Sequence, residues 1–433
     1  MATRRSAGHV IAELAQEAPE QLAITCGDAA MTRLGLEQES NRLARVYQEL
    51  GVHEGDFVTI GLPNSIELVV AIVATWKLGA VPMPMSSLLP SPERRSVIDL
   101  ANPALVVGPA ADDHPERRTL PAGFSPPIDV DDAPLPDRTS PARKAIMSGG
   151  STGRPKLIVS GLSGIVHSNE GNLLRMQRNE RQMVVGPLYH SASFNCATVG
   201  LFLGHHLVIL PRFDAAAALD TISRSRISWA VFVPTMLIRM WRLIEAEPSR
   251  YDLSSIRVLW HMAAPCPAWL KEAWIDLLGP DHIFEMYGGT EGQAITVIDG
   301  RAWLSHRGSV GVAEVGEVIV LDEQGAPAPP SVIGEVFMRP SAGVSTYRCI
   351  GAEARVRDGW ESIGDLGWMD EDGYLYLGDR RTDLIVTGGA NVYPAEVEAA
   401  IDQHRKVRSS ILVGVPDEDL GSGSTPSSRR HRA

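Results

Sequence analysis

The sequence predicts an α/β protein whose large N-terminal domain combines two α/β subdomains with a small antiparallel β subdomain. Residues 56–84 and 207–261 each alternate apolar strands with helical segments, which is typical of a mainly parallel sheet. From residue 308 onward the apolar segments are short and separated by turns rich in Asp and Gly, which favours antiparallel pairing. We therefore expect the large domain to span residues 1–378, with the β-rich subdomain at about 305–378.

The N-terminal part begins with helical periodicity and continues as a strand followed by a helix. Apolar residues recur at helical spacing in residues 10–50, and Gly51 ends that pattern. Residues 56–62 predict a strand and residues 65–78 predict a helix. Proline and aspartate accumulate between residues 112 and 143 with little periodicity, so we expect this stretch to be a surface connection.

A buried strand is predicted within residues 182–190, and it ends in a turn that contains Pro187. His190 would then emerge at the carboxyl end of the strand, which is the edge where open α/β sheets bind ligands. The strands and helices of the second α/β run are expected at residues 207–210, 215–223, 229–233, 235–245 and 257–261.

Composition and charge limit the kinds of partner. The chain has 433 residues, of which 44% are apolar, and this is enough to bury a large core. Its formal net charge of −12 argues against broad binding to nucleic acid or to an anionic membrane. The four cysteines lie far apart and predict neither a disulfide framework nor a zinc site. With no apolar run long enough to span a membrane and no signal-peptide pattern, we expect a cytoplasmic protein.

Residues 148–156 have the composition of a phosphate-binding loop. They contain three glycines, three hydroxyl side chains and the terminal Lys156, directly after an apolar segment. Glycines let backbone N–H groups approach an anion, and a lysine adds a mobile positive charge. The loop is not a Walker A motif, because Pro155 precedes the lysine and neither Ser nor Thr follows it.

Two further stretches accompany this loop. One is Met-Tyr-Gly-Gly-Thr-Glu-Gly at residues 286–292, and the other is Gly364-Asp365 followed by Asp-Arg-Arg-Thr-Asp at residues 379–383. In order and spacing the three stretches resemble the core motifs of the adenylate-forming (ANL) superfamily, which includes acyl-CoA synthetases, luciferases and the adenylation domains of nonribosomal peptide synthetases. Residues 379–398 look most like those of CoA ligases for fatty acids, bile acids and carnitine.

The resemblance implies an ATP site with Mg²⁺. It places a phosphate-contacting role on Lys156, an α-phosphate contact on Thr290, a Mg²⁺-holding role on Glu291 and ribose contacts on Asp365 and Arg380. Magnesium prefers oxygen ligands and commonly takes one or two carboxylates together with substrate phosphates. The other nucleotide-binding positions implied are Ser148, Gly149, Gly150, Ser151, Thr152, Gly153, Ala263, Ala264, Pro265, Tyr287, Gly288 and Gly289.

The carboxylic acid pocket follows from the same resemblance. His190 matches a position near the acyl carboxylate and joins Lys156, Thr290 and Glu291 as a catalytic candidate. Phe194, Asn195 and His261 are candidates for the pocket wall. For His190 and His261 the alternative is a buried histidine bonded to a neighbouring carbonyl.

The C-terminal end departs from the resembled family. The resemblance implies a hinge at residues 379–385 that includes Asp383, then an incomplete α+β lid at 386–420, in which Gly388 and Gly389 would line the coenzyme A path. No residue after Asp419 matches the lysine that bridges carboxylate and phosphate in the family. We interpret residues 421–433 as a disordered tail created by a one-nucleotide deletion, and expect ATP and acid binding with slow turnover.

The resemblance implies an AMP-forming acid–thiol ligase, with coenzyme A as co-substrate and a small carboxylic acid as partner. Two alternatives stay open. One is an adenylating enzyme that uses another acceptor, such as an amine, or an unusual acid. The other is a non-catalytic protein that binds ATP or an acyl group. The sequence also leaves open whether the chain forms a homodimer.

Overall fold

The computed structural model describes residues 5–109, 113–149, 155–353, 355–380, 385–387, 390–392, 397–398, 401, 404, 407–417 and 421–430. The first part of this structure alternates helices with short strands. In chain order its elements are β1 (Arg5–Ser6), α1 (Ala7–Glu17), β2 (Leu22–Cys26), β3 (Ala29–Thr32), α2 (Arg33–Glu49), β4 (Phe57–Ile60), α3 (Ile66–Lys77), β5 (Val81–Pro84), α4 (Ser91–Ala101), β6 (Leu105–Gly108) and β7 (Thr119–Pro121).

The middle part continues this alternation. Its elements are β8 (Ala145–Gly149), β9 (Pro155–Ser160), β10 (Ile165–Val166), β11 (Arg181–Val184), α5 (Ser191–Phe202), β12 (His206–Ile209), α6 (Ala215–Ser225), β13 (Trp229–Phe232), α7 (Pro234–Ala246), β14 (Val258–Met262), α8 (Ala268–Leu278), β15 (Ile283–Tyr287), β16 (Ile295–Asp299) and α9 (Gly300–Ser305).

The last part consists mainly of strands. They are β17 (Ser309–Val315), β18 (Glu317–Leu321), β19 (Gly334–Arg339), β20 (Tyr347–Ile350), β21 (Arg355–Arg357), β22 (Trp360–Ser362), β23 (Asp365–Met369), β24 (Leu375–Arg380), β25 (Ile385–Thr387), β26 (Ala390–Val392), β27 (Val407–Asp417) and β28 (Gly421–Arg430).

Two sheets contain the parallel strands. The smaller has the order β5-β4-β6-β7, and all its pairs are parallel. The larger has the order β21-β22-β19-β23-β24-β17-β16-β15-β14-β13-β11-β12-β2-β3, with β18 paired to β19. Its pairs from β15 to β2 are parallel, and those from β16 to β24 are antiparallel. The predicted α/β architecture and antiparallel strands are therefore confirmed, and β16 and β17 join them in one sheet.

Helix α3 lies in the centre of the N-terminal core. Its sequence is apolar on almost every face, and all its residues from Leu68 to Lys77 are buried, as expected for a helix enclosed by protein. Lys77 ends the helix and donates hydrogen bonds to Glu37, at 2.6 Å, and to Asn41, at 2.7 Å. These contacts satisfy an ammonium group that burial would otherwise destabilise.

The structure differs from the sequence prediction at both ends of the chain. Residues 10–50 are not one helical stretch, because hairpin β2–β3 interrupts it. Strand β2 pairs with β12 of the large sheet, a long-range contact that local periodicity does not report. The tail predicted to be disordered contains β28, which pairs with β27. Backbone pairing needs no apolar side-chain pattern, which accounts for a strand in this sequence. The reading-frame interpretation stays a prediction.

Candidate active site

The two strands that flank the phosphate-loop candidate pair with each other. Strands β8 and β9 pair in antiparallel fashion, with Ser148 opposite Lys156 and Gly149 opposite Pro155. The loop positions Gly150, Ser151, Thr152 and Gly153 lie outside the described residues. Strand β9 also pairs with β20, so Lys156 stands near one end of a three-stranded sheet. The pairing of β9 with β8 and β20 therefore fixes the backbone position of Lys156.

Lys156 and Glu291, which are far apart in sequence, form an ion pair. The Lys156 Nζ lies 2.7 Å from Oε1 of Glu291, and the two side chains are 23% and 8% exposed. The lysine neutralises a carboxylate that is largely removed from solvent. A mobile ammonium beside a carboxylate on the turn after β15 supplies one group suited to phosphate and one suited to Mg²⁺.

Tyr287 and Asp365 form a second contact between the motifs. The Tyr287 hydroxyl donates a hydrogen bond of 2.7 Å to Oδ2 of Asp365. Tyr287 ends β15, and Asp365 begins β23. Arg380 stands opposite Asp365 in the pairing of β23 with β24, while its side chain lies outside the described part of the structure. The aromatic ring and the carboxylate proposed for adenosine are thus neighbours.

Two glycines after Tyr287 lie close to neighbouring atoms. A Cβ atom at Gly288 would lie 2.9 Å from the carbonyl oxygen of Ala294, and one at Gly289 would lie 3.0 Å from Oε2 of Glu291. Thr290 follows in the same turn, directly before Glu291. A larger residue at Gly288 would press on the Ala294 backbone and shift the turn, whereas one at Gly289 would displace the Glu291 carboxylate by a few tenths of an ångström.

The loop after β14 lies beside the same turn. Strand β14 pairs in parallel with β15, and Met262 is opposite Met286. Ala263, Ala264 and Pro265 follow β14 and are exposed. Ala263 has a φ of 70°, a left-handed conformation that is strained for alanine. These three candidates therefore stand next to Tyr287, at the carboxyl ends of adjacent strands.

The candidates for the acid pocket separate into exposed and buried residues. His190 is exposed at the start of α5, and its ring centroid is 4.5 Å from that of Tyr189. Partial desolvation lowers the pKa of His190, so its imidazole is neutral at neutral pH. Phe194 has no exposed surface and packs edge-on against Trp76 in the core. It supports the helix that carries His190 rather than an open pocket wall.

His261 is completely enclosed on β14. It is 1% exposed, and neither ring nitrogen has a hydrogen-bond partner among the described residues, so the alternative of a carbonyl partner is not observed. Its Nε2 lies 3.8 Å from Oε2 of Glu285, which accepts a hydrogen bond of 2.6 Å from Lys271. Burial, together with the charge of Lys271, holds the pKa of His261 well below its usual range. The ring is therefore neutral.

The structure adds residues that sequence reasoning missed. Asn64 holds the turn before His190, since its Nδ2 donates to the Gly186 carbonyl and its Oδ1 accepts from the Leu188 N–H, both at 2.9 Å. Nothing in the sequence around Asn64 indicates this role. Lys144, directly before β8, donates to Oγ of Ser191 at 2.5 Å and to Oδ1 of Asn195 at 2.7 Å. The sequence feature that could have indicated this role is a lysine directly before the apolar strand β8.

Because Lys144 is buried, we expect the free energy of unfolding to depend on pH. Burial lowers the pKa of Lys144 from 10.5 to about 7. Between these values the unfolded chain binds more protons than the folded one, so the free energy of unfolding should rise with pH, by at most about 1.4 kcal/mol per pH unit. Urea unfolding at about pH 7.5 and about pH 9.5 measures this, and Lys144→Met should lack this part of the rise. Equal pH dependence in both proteins would contradict the prediction.

Two kinds of feature are absent from the described residues. Within these residues no group of three or more His, Cys, Asp or Glu side chains is arranged to hold a metal ion by itself. Over the same ranges, none of the helices has the length and apolar character needed to cross a membrane.

Comparison with known proteins identifies the family. The family model described as "AMP-binding enzyme" matches residues 11–348. The chain belongs to this adenylate-forming family. The resemblance inferred from the three motifs is thereby confirmed.

Two named relatives of this family are CoA ligases. The chain is 30% identical over 426 residues to a feruloyl-CoA synthase of Amycolatopsis sp., covering 94% of this chain and 85% of the relative. It is 28% identical over 421 residues to the 2-succinylbenzoate–CoA ligase of Bacillus licheniformis, covering 94% and 86%.

Solved structures agree on the fold. The o-succinylbenzoate CoA synthetase of Bacillus subtilis in complex with its acyl-adenylate intermediate matches with a TM-score of 0.84 and 24% identity, covering 100% of this chain and 90% of that one. The same enzyme with ATP and magnesium matches with a TM-score of 0.83 and 24% identity, covering 100% and 91%. At this identity the match describes the fold.

Proposed function

We propose that this chain activates a carboxylic acid with ATP as an acyl adenylate and then transfers the acyl group to the thiol of coenzyme A. The contact of 2.7 Å between Lys156 and Glu291 carries the proposal, because it joins the phosphate and magnesium candidates. The neighbouring pair of Tyr287 and Asp365 supports an adenosine position beside them. Both relatives named above act on aromatic acids by their names, so aromatic acids are the first substrate class to test.

In the first half-reaction a carboxylate oxygen attacks the α-phosphorus of ATP. A phosphorus–oxygen bond forms, the bond to the bridging oxygen of the β-phosphate breaks, and pyrophosphate leaves. Little covalent help is needed, so the proposed roles are positioning and charge compensation. Lys156 would offset phosphate charge, Thr290 would donate to the α-phosphate, and Ser148 would contact the phosphates.

Glu291 fits a magnesium site because its carboxylate presents the oxygen ligands that this hard cation prefers. Bound Mg²⁺ would compensate phosphate charge. In the structure Glu291 is instead paired with Lys156. Binding of ATP with Mg²⁺ would give the ammonium a phosphate and the carboxylate a cation. The exchange replaces one set of opposite charges with another, so neither side chain is left with an uncompensated charge.

In the second half-reaction the thiolate of coenzyme A attacks the acyl carbon. A carbon–sulfur bond forms, the bond to the phosphate oxygen breaks, and AMP leaves with the electron pair. The proposed path of coenzyme A past Gly388 and Gly389, and the hinge at Asp383, lie outside the described residues. Their roles rest on the sequence resemblance.

An assay that separates the two half-reactions tests the proposal. The purified chain is incubated with ATP, MgCl₂ and a panel of aromatic, fatty and steroid acids, with and without coenzyme A. We expect acid-dependent pyrophosphate release well above that of Lys156→Met, a hydroxamate when hydroxylamine replaces coenzyme A, and a thioester when coenzyme A is present. Hydroxamate without thioester would favour another acceptor. ATP binding by calorimetry without hydroxamate from any acid would favour a non-catalytic binding protein.

A further inference from the structure

Lys144 connects two elements of the candidate active site. It stands directly before β8, the strand that leads into the phosphate-loop candidate. Its Nζ donates to Ser191, the first residue of α5, and to Asn195, one helical turn later, at 2.5 and 2.7 Å. His190 is the residue that precedes α5 as its N-cap. One side chain therefore ties the phosphate-loop strand to the helix start that presents His190.

This position is unfavourable for a lysine whose only role is stability. Lys144 is 6% exposed, and among the described residues its Nζ bonds only to Ser191 and Asn195, with no carboxylate at ion-pair distance. Burying an ammonium group without an opposite charge is costly. The start of a helix also carries the positive end of the helix dipole, which disfavours a nearby cation. The Phe194 ring, whose centroid is 5.7 Å from Nζ, compensates only part of this cost.

The hydrogen-bonding geometry matches a positioning role. Ser191 Oγ and Asn195 Oδ1 are two strong acceptors on one face of the helix, while the Ser191 carbonyl is a weaker third at 3.5 Å. An amine can keep both short contacts in its charged and its neutral form, because each form has at least two N–H donors. The tie between the strand and the helix is therefore maintained in either protonation state.

We propose that Lys144 is a positioning residue for the carboxylic acid substrate, which fixes the first turn of α5, and with it His190, relative to the phosphate-loop strand. This inference rests on the proposed function, because it assigns His190 to the acid site. Lys144 does not need to touch the acid. It sets the distance between the group that faces the acid and the loop that would hold the phosphates.

Kinetics of three variants of the full chain test the proposal. Lys144→Met keeps the length of the side chain and removes its donors, while Ser191→Ala removes one acceptor. Thr198→Val is the matched control, because its buried hydroxyl donates to the Phe194 and Asn195 carbonyls, at 2.9 and 3.2 Å on the same helix, and makes no hydrogen bond to β8 among the described residues. Pyrophosphate release is measured against acid and against ATP, and thermal unfolding is recorded for each protein.

The expected result is a split between the two substrates. In Lys144→Met the KM for the acid should rise about ten- to a hundredfold, as for other small misplacements of a reacting group, while the KM for ATP changes less than about threefold. Ser191→Ala should also raise the KM for the acid. In the double variant, Lys144→Met with Ser191→Ala, the KM for the acid should be no higher than in the more affected single variant. An acid KM in Lys144→Met equal to that of Thr198→Val, or additive effects in the double variant, would overturn the proposal.

Hydrogen–deuterium exchange gives a readout that does not depend on activity. Peptides covering residues 190–195 and 145–149 should exchange faster in Lys144→Met than in the wild type, and Thr198→Val should leave residues 145–149 unchanged. If the wild type forms no adenylate with any acid, the proposed function fails while exchange still tests the tie. Unchanged exchange at both segments in Lys144→Met would show that no such tie exists.

Discussion

Replacing Lys156 with methionine is expected to slow pyrophosphate release by about two orders of magnitude, as for other losses of one charge-stabilising group in an active site. Methionine keeps an unbranched side chain of similar length but has no charge to offset that of the phosphates. The substitution also leaves Glu291, whose side chain is 8% exposed, without its ammonium partner. Initial rates at saturating ATP and acid measure the effect.

A double variant separates stability from activity at this pair. The unpaired carboxylate in Lys156→Met should lower the free energy of unfolding by on the order of 1–3 kcal/mol. In Lys156→Met with Glu291→Gln that unpaired charge is gone, so stability should recover towards the wild type. Pyrophosphate release should stay low, because both groups proposed for ATP and Mg²⁺ are missing. Recovery of activity together with stability would contradict the proposed roles.

The largest loss of stability is expected from Lys271→Met. Lys271 is 1% exposed and Glu285 is 6% exposed, and their Nζ and Oε2 atoms are 2.6 Å apart. Removing the lysine leaves a carboxylate enclosed between α8 and β15, which costs about 3–5 kcal/mol in comparable cases. Urea unfolding at neutral pH measures this. The matched control is Arg301→Met, which breaks an exposed pair of the same 2.6 Å length with Asp281 and should cost less than about 1 kcal/mol.

The pH dependence of this variant identifies the cause. Burial raises the pKa of Glu285, and Lys271 opposes that rise. Without the lysine the carboxyl group takes up its proton at higher pH, so the penalty present above that pKa is relieved as the pH falls. The difference in unfolding free energy between Lys271→Met and the wild type should therefore shrink from about pH 8 to about pH 5, and Glu285→Gln should restore part of the loss. A difference independent of pH would exclude an unpaired carboxylate as its cause.

Local sequence was sufficient for several elements of the fold. Helix α3 was expected at residues 65–78 and spans Ile66–Lys77, with Ser65 accepting from the Leu68 N–H at its start. Strand β12 and helix α6 also lie within two residues of their predicted bounds. Each of these elements shows its apolar periodicity and its capping residue or glycine within one short stretch of chain. The elements can therefore be recognised without knowledge of distant contacts.

The family and its candidate residues also followed from the sequence, because each motif is contiguous. The contacts between motifs did not follow. Lys156 and Glu291 are 135 positions apart, and Tyr287 and Asp365 are 78 apart. The motifs predicted that each of these side chains would contact a bound nucleotide or Mg²⁺. In the structure Lys156 instead contacts Glu291, and Tyr287 contacts Asp365. A motif specifies which chemical groups are present, but the sheet order determines which of them meet.

By itself the sequence determined the α/β class, several of the helices and strands, and the side chains available to a nucleotide site, since these depend on periodicity and on contiguous motifs. Only the tertiary structure decided that β2 joins the large sheet, that Phe194 packs in the core, and that Lys144 holds the start of α5. Lys144 meets its two acceptors 47 and 51 positions later in the chain. Such contacts arise from packing elements against one another, and no local pattern of residues records them.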